Sequence, residues 1–548
     1  MENYNQFTLF DYLESSPENN QIEELGEINT NIPDSWKEKF RSYDINKYTK
    51  DIEQFGIQTT WNNICGYVIE NKVSEFLNVN NFGELYEIAL AIQDKKQKKD
   101  NGQYYTPEDV ALIMAGWLKD LDAHNVCDVA CGTGILILTY LDLIGTDEAH
   151  RLLSESKIYL YDLDETALTI CKTAILMRYG KQYSKNIHAI HCDFLNKKVH
   201  LPSDSKVISN PPYAGISSIP YEWDRSKIQM YTKELYSSFM EKILLESDKS
   251  VIITPYSFIG GNKFYPLRLL MNEYAGFIVS FDNVPGNIFC GRKHGIFNTN
   301  TSNSVRAAIT VVDNKGKGFN ISPLIRFKNE ERDKILKCNI LESTLSAKKQ
   351  IVDKNNKAYI KCPKDLELIK DAWMNKSNQC LKNIVSTKSS KYKIFIPNTC
   401  RYFTTASSYE LKRTGFINLC FENEIEYSFV YCLINSSFAY WWWRMFDGGI
   451  TYPIGLLNSL PIFINLLNNE DKEFFRAISE DMMRIEKECV VTKLNAGSIQ
   501  ENLKFPSKYR DQINNRLLKI LGFDYLRSQA FDILHKNSFF GNLNNSEE

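Results

Sequence analysis

Apolar and polar positions along the chain fall into two regimes that meet near residue 95. Before it the pattern is polar and helically spaced, as in VSEFLNVNNFGELYEIALAIQ, and it predicts a helical N-terminal region over 1–95. The charged run DKKQKKDNG (94–102) reads as a solvated hinge. Beyond it, short apolar runs alternate with amphipathic stretches. NVCDVA (125–130), KIYLYDLD (157–164), NIHAIHCDF (186–194), KVISN (206–210), KSVIITP, GFIVSFDN and VRAAITVVD predict strands. EDVALIMAGWL, GILILTYLDLIG (134–145), ETALTICKTAILMRYG (165–180) and ELYSSFMEKILLES predict helices. This alternation predicts a doubly wound, mostly parallel α/β sheet with helices on both faces, over 96–325. Sheets of that kind bind ligands at the C-terminal ends of their strands, where the topology reverses.

The alternation stops near 325. EERDKILKCNILES predicts a connecting helix within a segment 326–375. From 376 to 548 follows a separate aromatic-rich α+β module that contains YKIFIPNTCRYFTT and FAYWWWRMFDGGITYPIG. At 548 residues the chain is too long for a single core, which agrees with the division.

Composition narrows the class. A hydrophobic fraction of 43% and a charged fraction of 24% are those of a soluble globular protein. No apolar run is long enough to span a bilayer, and MENYNQFTLFDYLE carries no secretory signal, so the expected compartment is the cytoplasm. The 13 cysteines include no Cys-x-x-Cys pair, which argues against a zinc site or a disulfide scaffold. A net charge of −2 does not point to nucleic acid. Local charge changes that picture: Lys376 to Arg413 holds eight Lys or Arg and one acid, Glu410. The segment suits phosphate contacts as well as it suits a solvated surface.

Candidate chemistry gathers at the strand ends. DVACGTG (128–134) joins the first strand to its helix, and Gly132 and Gly134 allow positive φ or close approach of backbone to a ligand. The next strand ends in YDLD. Asp162 is placed to accept from ribose hydroxyls, and Asp164, before ETAL, to cap the following helix. The third ends in Cys192-Asp193-Phe194, a carboxylate beside an aromatic, which suits an adenine ring. Upstream, GQYYTP (102–107) reads as a helix start, with Thr106 as N-cap and Pro107 in the first turn.

The fourth strand runs into SNPPYAG (209–215). Asn-Pro marks turns in general, but a turn needs neither the second proline nor the tyrosine. An amine conjugated to a base is a poor nucleophile because its lone pair is delocalised into the ring. The Asn210 side-chain oxygen and the Pro211 carbonyl can hold both of its N–H bonds and favour a more tetrahedral nitrogen. Pro211 and Pro212 stiffen the corner in advance, and Tyr213 can stack on the base. Such an amine is reachable only in a base flipped out of the duplex.

DVACGTG, YDLD, CDF and NPPY, in this order, resemble the S-adenosylmethionine-dependent N6-adenine DNA methyltransferases of the gamma class found in restriction–modification systems. The resemblance implies a Rossmann-like catalytic domain over 96–325 and a DNA target-recognition domain over 376–548. It implies that Asp128, Ala130, Gly132 and Gly134 line the methionine and sugar of the cofactor, Asp162 its ribose, and Asp193 and Phe194 its adenine. GQYYTP matches a family segment over the methionine end and brings in Tyr105 and Thr106. Asn210 and Pro211 would hold the target amine, with Tyr213 on its ring. A second family aromatic after a glycine matches GNIFCG (286–291), which nominates Phe289; an ordinary core phenylalanine is the other reading. The family usually has Pro after the first acid, where this chain has Val129. The insertion KHGIFNTNTSNS (293–304) is polar and suits a DNA-facing loop.

The implied partners are double-stranded DNA and a cognate restriction endonuclease, in a bacterial or phage setting. Arg401, Lys412, Arg413 and Arg444 are candidates for phosphate or guanine contacts, while most of Trp441, Trp442 and Trp443 reads as core. Gln6 to Phe10, QFTLF, resembles the peptide by which bacterial DNA enzymes dock on the sliding clamp, with a hydrophobic staple at a helix start as the plainer reading. No nuclease motif follows Pro33-Asp34. A cytosine C5 enzyme would need a Pro-Cys nucleophile, which is absent. An N4-cytosine enzyme, which usually has Ser where Asn210 stands, stays open. So does a modification subunit of a multi-chain complex. A nicotinamide dehydrogenase is the weakest rival, since no catalytic His or Lys accompanies the turn.

Overall fold

The computed structural model describes residues 45–71, 83, 85–86, 89–90, 106–216, 226–289, 305–400, 403–413, 415–495, 498–524 and 531–535. Gln6 to Phe10, the 94–102 hinge, Tyr105, the 293–304 insertion and Arg401 lie outside them. The chain divides into two compact units, one of 1–320 with 329–343 and 349–357, the other of 321–328 with 344–348 and 358–548. The segment expected as a connector therefore contributes to both.

The first unit holds seven strands, β1 (Asn125–Val129), β2 (Ile158–Asp162), β3 (His188–His191), β4 (Ser205–Ser209), β5 (Ser250–Pro255), β6 (Tyr274–Phe281) and β7 (Ala307–Lys315), and an eighth, β8 (Gly318–Ile325), begins in it and passes into the second unit at Ile321. Their spatial order is β3-β2-β1-β4-β5-β7-β6-β8. Pairings from β3 through β5 are parallel, and β7 runs antiparallel to both β5 and β6. The doubly wound, mostly parallel sheet read from the alternation is present. Every residue of β4 is buried, as is all of β1 after Asn125, because helices cover both faces. That is why these strands read as unbroken apolar runs rather than as alternating ones.

The chain leaves β1 for β2 and β3 on one side, then returns to lay β4 on the other. The strand order reverses between β1 and β4, and the turns that leave their C-terminal ends diverge there. Ser209 Oγ donates to the Val129 carbonyl at 2.6 Å and pins the two strand ends together.

Two elements differ from the sequence pattern. β8 was not predicted; its sequence GFNISPLI carries Asn, Ser and Pro among the apolar positions, which masks the strand signal. The helix expected over EERDKILKCNILES is two short helices, Arg332–Ile335 and Cys338–Ser343, separated where Leu336 turns to ψ 68°. The second of these packs on helix Glu108–Lys119, where Trp117 Nε1 donates to Glu342 Oε1 at 2.6 Å.

The second unit is α+β. A hairpin-like pair of β9 (Tyr392–Pro397) and β10 (Phe416–Phe421) packs with helices Glu424–Ile434, Ser437–Phe446, Asn469–Ile485 and Ser507–Ile520 around an aromatic core. Trp441, Trp442 and Trp443 are all buried, and Trp373 stacks on Trp441 with centroids 5.7 Å apart. Among the described residues no helix is long and apolar enough to cross a membrane.

Candidate active site

The first strand–helix turn has the geometry that its glycines permit. Ala130 (φ 58°), Gly132 (φ 53°) and Gly134 (φ 91°) all adopt positive φ. The turn therefore coils tightly and delivers Gly134 as N-cap of helix Ile135–Ile144. Below it, Asp128 is fully buried; its Oδ2 accepts from the Ile137 amide at 3.2 Å, while Oδ1 has no partner among the described residues. Burial raises its carboxyl well above the usual aspartate range.

Asp162, at the end of β2, joins this turn to the next. Its Oδ2 accepts from the Gly132 amide at 2.7 Å and its Oδ1 from the Asp164 amide at 2.8 Å. Burial pushes its carboxyl up to about 6, although those hydrogen bonds pull it down. Asp164 is the helix cap expected of it, accepting from Thr166 at 3.0 Å and Ala167 at 3.1 Å. The Tyr86 hydroxyl, from the N-terminal region, also donates to Asp164. Leu163 between the two acids is 59% exposed, an apolar surface at the strand tip that the sequence reading passed over although it lies within the quoted YDLD.

At the third strand end Asp193 is half-buried and accepts from the Leu195 amide at 3.0 Å. Phe194 is not laid open for a ligand ring. It is 3% exposed, enclosed by Tyr161, Phe239 and the Lys242 ammonium 4.8 Å above its face. Lys242, which carries no motif in the sequence, donates to the carbonyls of Phe194, Asn196 and Val199 at 2.7, 2.8 and 2.6 Å. One ammonium thus fixes the whole turn after β3.

The corner after β4 is met by two distant parts of the chain. Thr106 is not an N-cap: the helix begins at Glu108 with Pro107 as its cap and no side-chain cap bond. The Thr106 hydroxyl, buried, instead accepts from Asn210 Nδ2 at 3.0 Å. The bond commits the nitrogen end of the amide to Thr106 and so fixes which way Oδ1 faces. Pro211 is buried and Pro212 half-buried. Tyr213 donates to the Ile253 carbonyl at 3.2 Å, and its ring meets Phe289 edge to face with centroids 6.3 Å apart. Phe289, at 2% exposure, sits in a loop where its own amide donates to Asn287 Oδ1 at 2.8 Å.

The cations nominated for DNA divide. Lys412 has an exposed side chain. Arg413 is half-buried and donates to Asn502 Oδ1 at 2.6 Å, so it braces strand Ser498–Leu503. Arg444 is 6% exposed, donates to the Leu324 carbonyl at 2.7 Å and lies over the Tyr440 ring. Its charge is spent inside the second unit, and it is not placed to read DNA.

Comparison with known proteins places these strand ends in context. Residues 78–247 match the family model described as N-6 DNA Methylase. Over 148 residues the chain is 25% identical to the type I restriction enzyme MpnII methylase subunit of Mycoplasma pneumoniae, covering 25% of this chain and 26% of that one. Over 184 residues it is 24% identical to the type I restriction enzyme EcoEI methylase subunit of Escherichia coli, covering 32% and 36%. The chain thus spans about a quarter to a third of the length of these curated relatives. Among solved structures, the ATP-dependent type ISP restriction–modification enzyme LlaBIII bound to DNA aligns with 93% of this chain and 54% of its own, at 13% identity and TM-score 0.41. The segment that carries the glycine turn, the strand-end acids and the Asn210 corner is the one that matches the N-6 DNA Methylase model.

Proposed function

We propose that this chain is a site-specific DNA methyltransferase that moves the methyl group of S-adenosylmethionine to N6 of an adenine held out of the duplex, in the service of restriction–modification. The observation that carries the reading is the Asn210–Thr106 hydrogen bond beside the Tyr213–Phe289 ring pair. An oriented amide next to two aromatics, on a proline-stiffened corner, is what an exocyclic amine on a flat base requires.

The residues fit the cofactor. Asp128 Oδ1 is a buried acceptor with no partner among the described residues, and the 130–134 turn lets backbone approach a ligand closely. Asp162 offers a carboxylate for ribose hydroxyls, with Asp193 and the exposed Leu163 for the adenine. When bound, the cofactor supplies an electrophilic methyl group. Asn210 Oδ1 and the Pro211 carbonyl accept the two N–H bonds of the target amine and draw its lone pair out of conjugation. Tyr213 holds the ring and Phe289, buried, backs it edge to face, so in-line alignment supplies much of the acceleration. No side chain is assigned as a general base; the amine's proton leaves to solvent after transfer.

Two relatives named as methylase subunits favour a second reading, in which the chain works as the modification subunit of a multi-chain restriction complex. The test of both is transfer of labelled methyl from S-adenosylmethionine to unmethylated mixed-sequence bacterial DNA, followed by digestion to nucleosides. Labelled N6-methyladenine that disappears with Asn210→Ala supports the first reading. Labelled N4-methylcytosine overturns the target base. Transfer that appears only on adding a partner subunit selects the second reading, and no transfer under either condition overturns both.

A further inference from the structure

Arg332 lies 85 residues beyond the end of the family-matched segment at 247, in a stretch whose sequence reads only as a charged helix. Its side chain is 11% exposed, and its guanidinium reaches two parts of the fold at once. On one side Nε and Nη2 donate to the Asp109 carboxylate, the latter at 2.8 Å. On the other, Nη1 donates to the Asn287 carbonyl and Nη2 to the Ile288 carbonyl, both at 2.7 Å.

Both ends of this clamp lead to the candidate site. Asp109 is in the first turn of helix Glu108–Lys119, three residues after the Thr106 that holds Asn210. Asn287 and Ile288 immediately precede Phe289, whose amide is held by Asn287 Oδ1 and whose ring faces Tyr213. A planar fork with several donors can satisfy a carboxylate and two carbonyls together; a lysine ammonium has neither the reach nor the geometry to serve all of them.

We propose that Arg332 is a positioning residue that locks the aromatic wall at Phe289 to the segment through which Thr106 orients Asn210. The inference rests on the methyl-transfer reading above. Its role is to hold Phe289, the buried ring that backs Tyr213, and the amine-facing amide at one fixed separation. It acts on the target side of the site, away from the cofactor residues at the ends of β1 and β2.

The test uses the full chain as wild type, Arg332→Lys and Asp109→Asn. The latter keeps the arginine and its carbonyl bonds and serves where the former folds poorly. Methyl transfer to unmethylated bacterial DNA gives kcat, and calorimetry with the inert cofactor analogue sinefungin gives its Kd. Both variants are expected to lose about tenfold or more in kcat, as misplaced reacting groups do, while the sinefungin Kd stays within about twofold. Transfer at the wild-type rate in both variants overturns the inference and leaves the methyl-transfer reading standing. A kcat and a Kd that worsen in step also overturn it, since that is a general loss of structure. A wild-type chain that transfers no methyl group, either alone or with an added partner subunit, overturns the reading and this inference with it.

Discussion

Asn210 Nδ2 donates to Thr106 Oγ1 at 3.0 Å across 104 positions of sequence, so a threonine in front of a helix decides how the amide after β4 is turned. The hydroxyl is buried, and bulk water is not available to replace it. Thr106→Val keeps the shape and removes this acceptor, so the Asn210 amide loses the bond that turns its nitrogen end toward Thr106. The expected outcome is a kcat for methyl transfer lower by about tenfold or more, with Thr106→Ser close to wild type. Equal rates for valine and threonine would show that the amide is oriented by something else.

Gly134 sits at φ 91°, and a Cβ there would lie 2.5 Å from Cys171 Sγ. Gly134→Ala therefore meets two costs: roughly 1–2 kcal/mol for a left-handed alanine and a steric clash with the helix behind. Thermal unfolding should move down, and sinefungin binding should weaken because the 130–134 turn is displaced. Adding Cys171→Ala is expected to recover the steric part alone. Full recovery in the double variant would mean that backbone strain at Gly134 is negligible.

The sheet was legible where its physics is local. β1, β2 and β4 are shielded on most or all of their length, so their residues read as apolar runs, and the turns that leave them carry glycine, acid or proline for reasons each turn states by itself. What was not legible depended on residues far apart in sequence. Thr106 has the identity of an N-cap and is used for Asn210 instead. Phe289 meets Tyr213 across 76 positions, and no periodicity carries that contact. Arg444 was misread for a related cause: a lone cation in an aromatic helix gives no sign of the Leu324 carbonyl that receives it. Chain identity tells which groups could meet; only the fold decides which do.

Lys242 offers a test of the turn after β3. Its ammonium donates to the carbonyls of Phe194, Asn196 and Val199, and no neutral side chain of similar length replaces three such bonds. Lys242→Met keeps the aliphatic packing over Phe194 and loses the donors. The expected loss is about 1–2 kcal/mol of folding stability in urea titration, because the partly buried carbonyls of Phe194 and Val199 lose their donor while that of exposed Asn196 turns to water. Sinefungin should bind more weakly through Asp193, while kcat at saturating S-adenosylmethionine stays near wild type. A fall in kcat with unchanged analogue affinity would contradict this placement.

Asp162 makes cofactor affinity depend on pH. Its ordinary value of 3.8 is raised by burial to about 6 in the folded chain, so the folded state holds its proton more tightly than the unfolded one. The sign follows: this group costs nothing below pH 4 or so, and destabilises the fold progressively as pH rises through about 6. Ligand binding runs the other way. A ribose hydroxyl donates more strongly to the carboxylate than to the acid, so sinefungin affinity should climb as pH rises through about 6 and level off above about 7. Calorimetry near pH 5 in buffers of different ionisation enthalpy should then detect release of nearly one proton per ligand. Asp162→Asn, which cannot titrate, should bind weakly with a flat profile over the same window. A wild-type affinity that is flat or falls with pH would separate Asp162 from the ribose and leave it as a brace between Gly132 and Asp164.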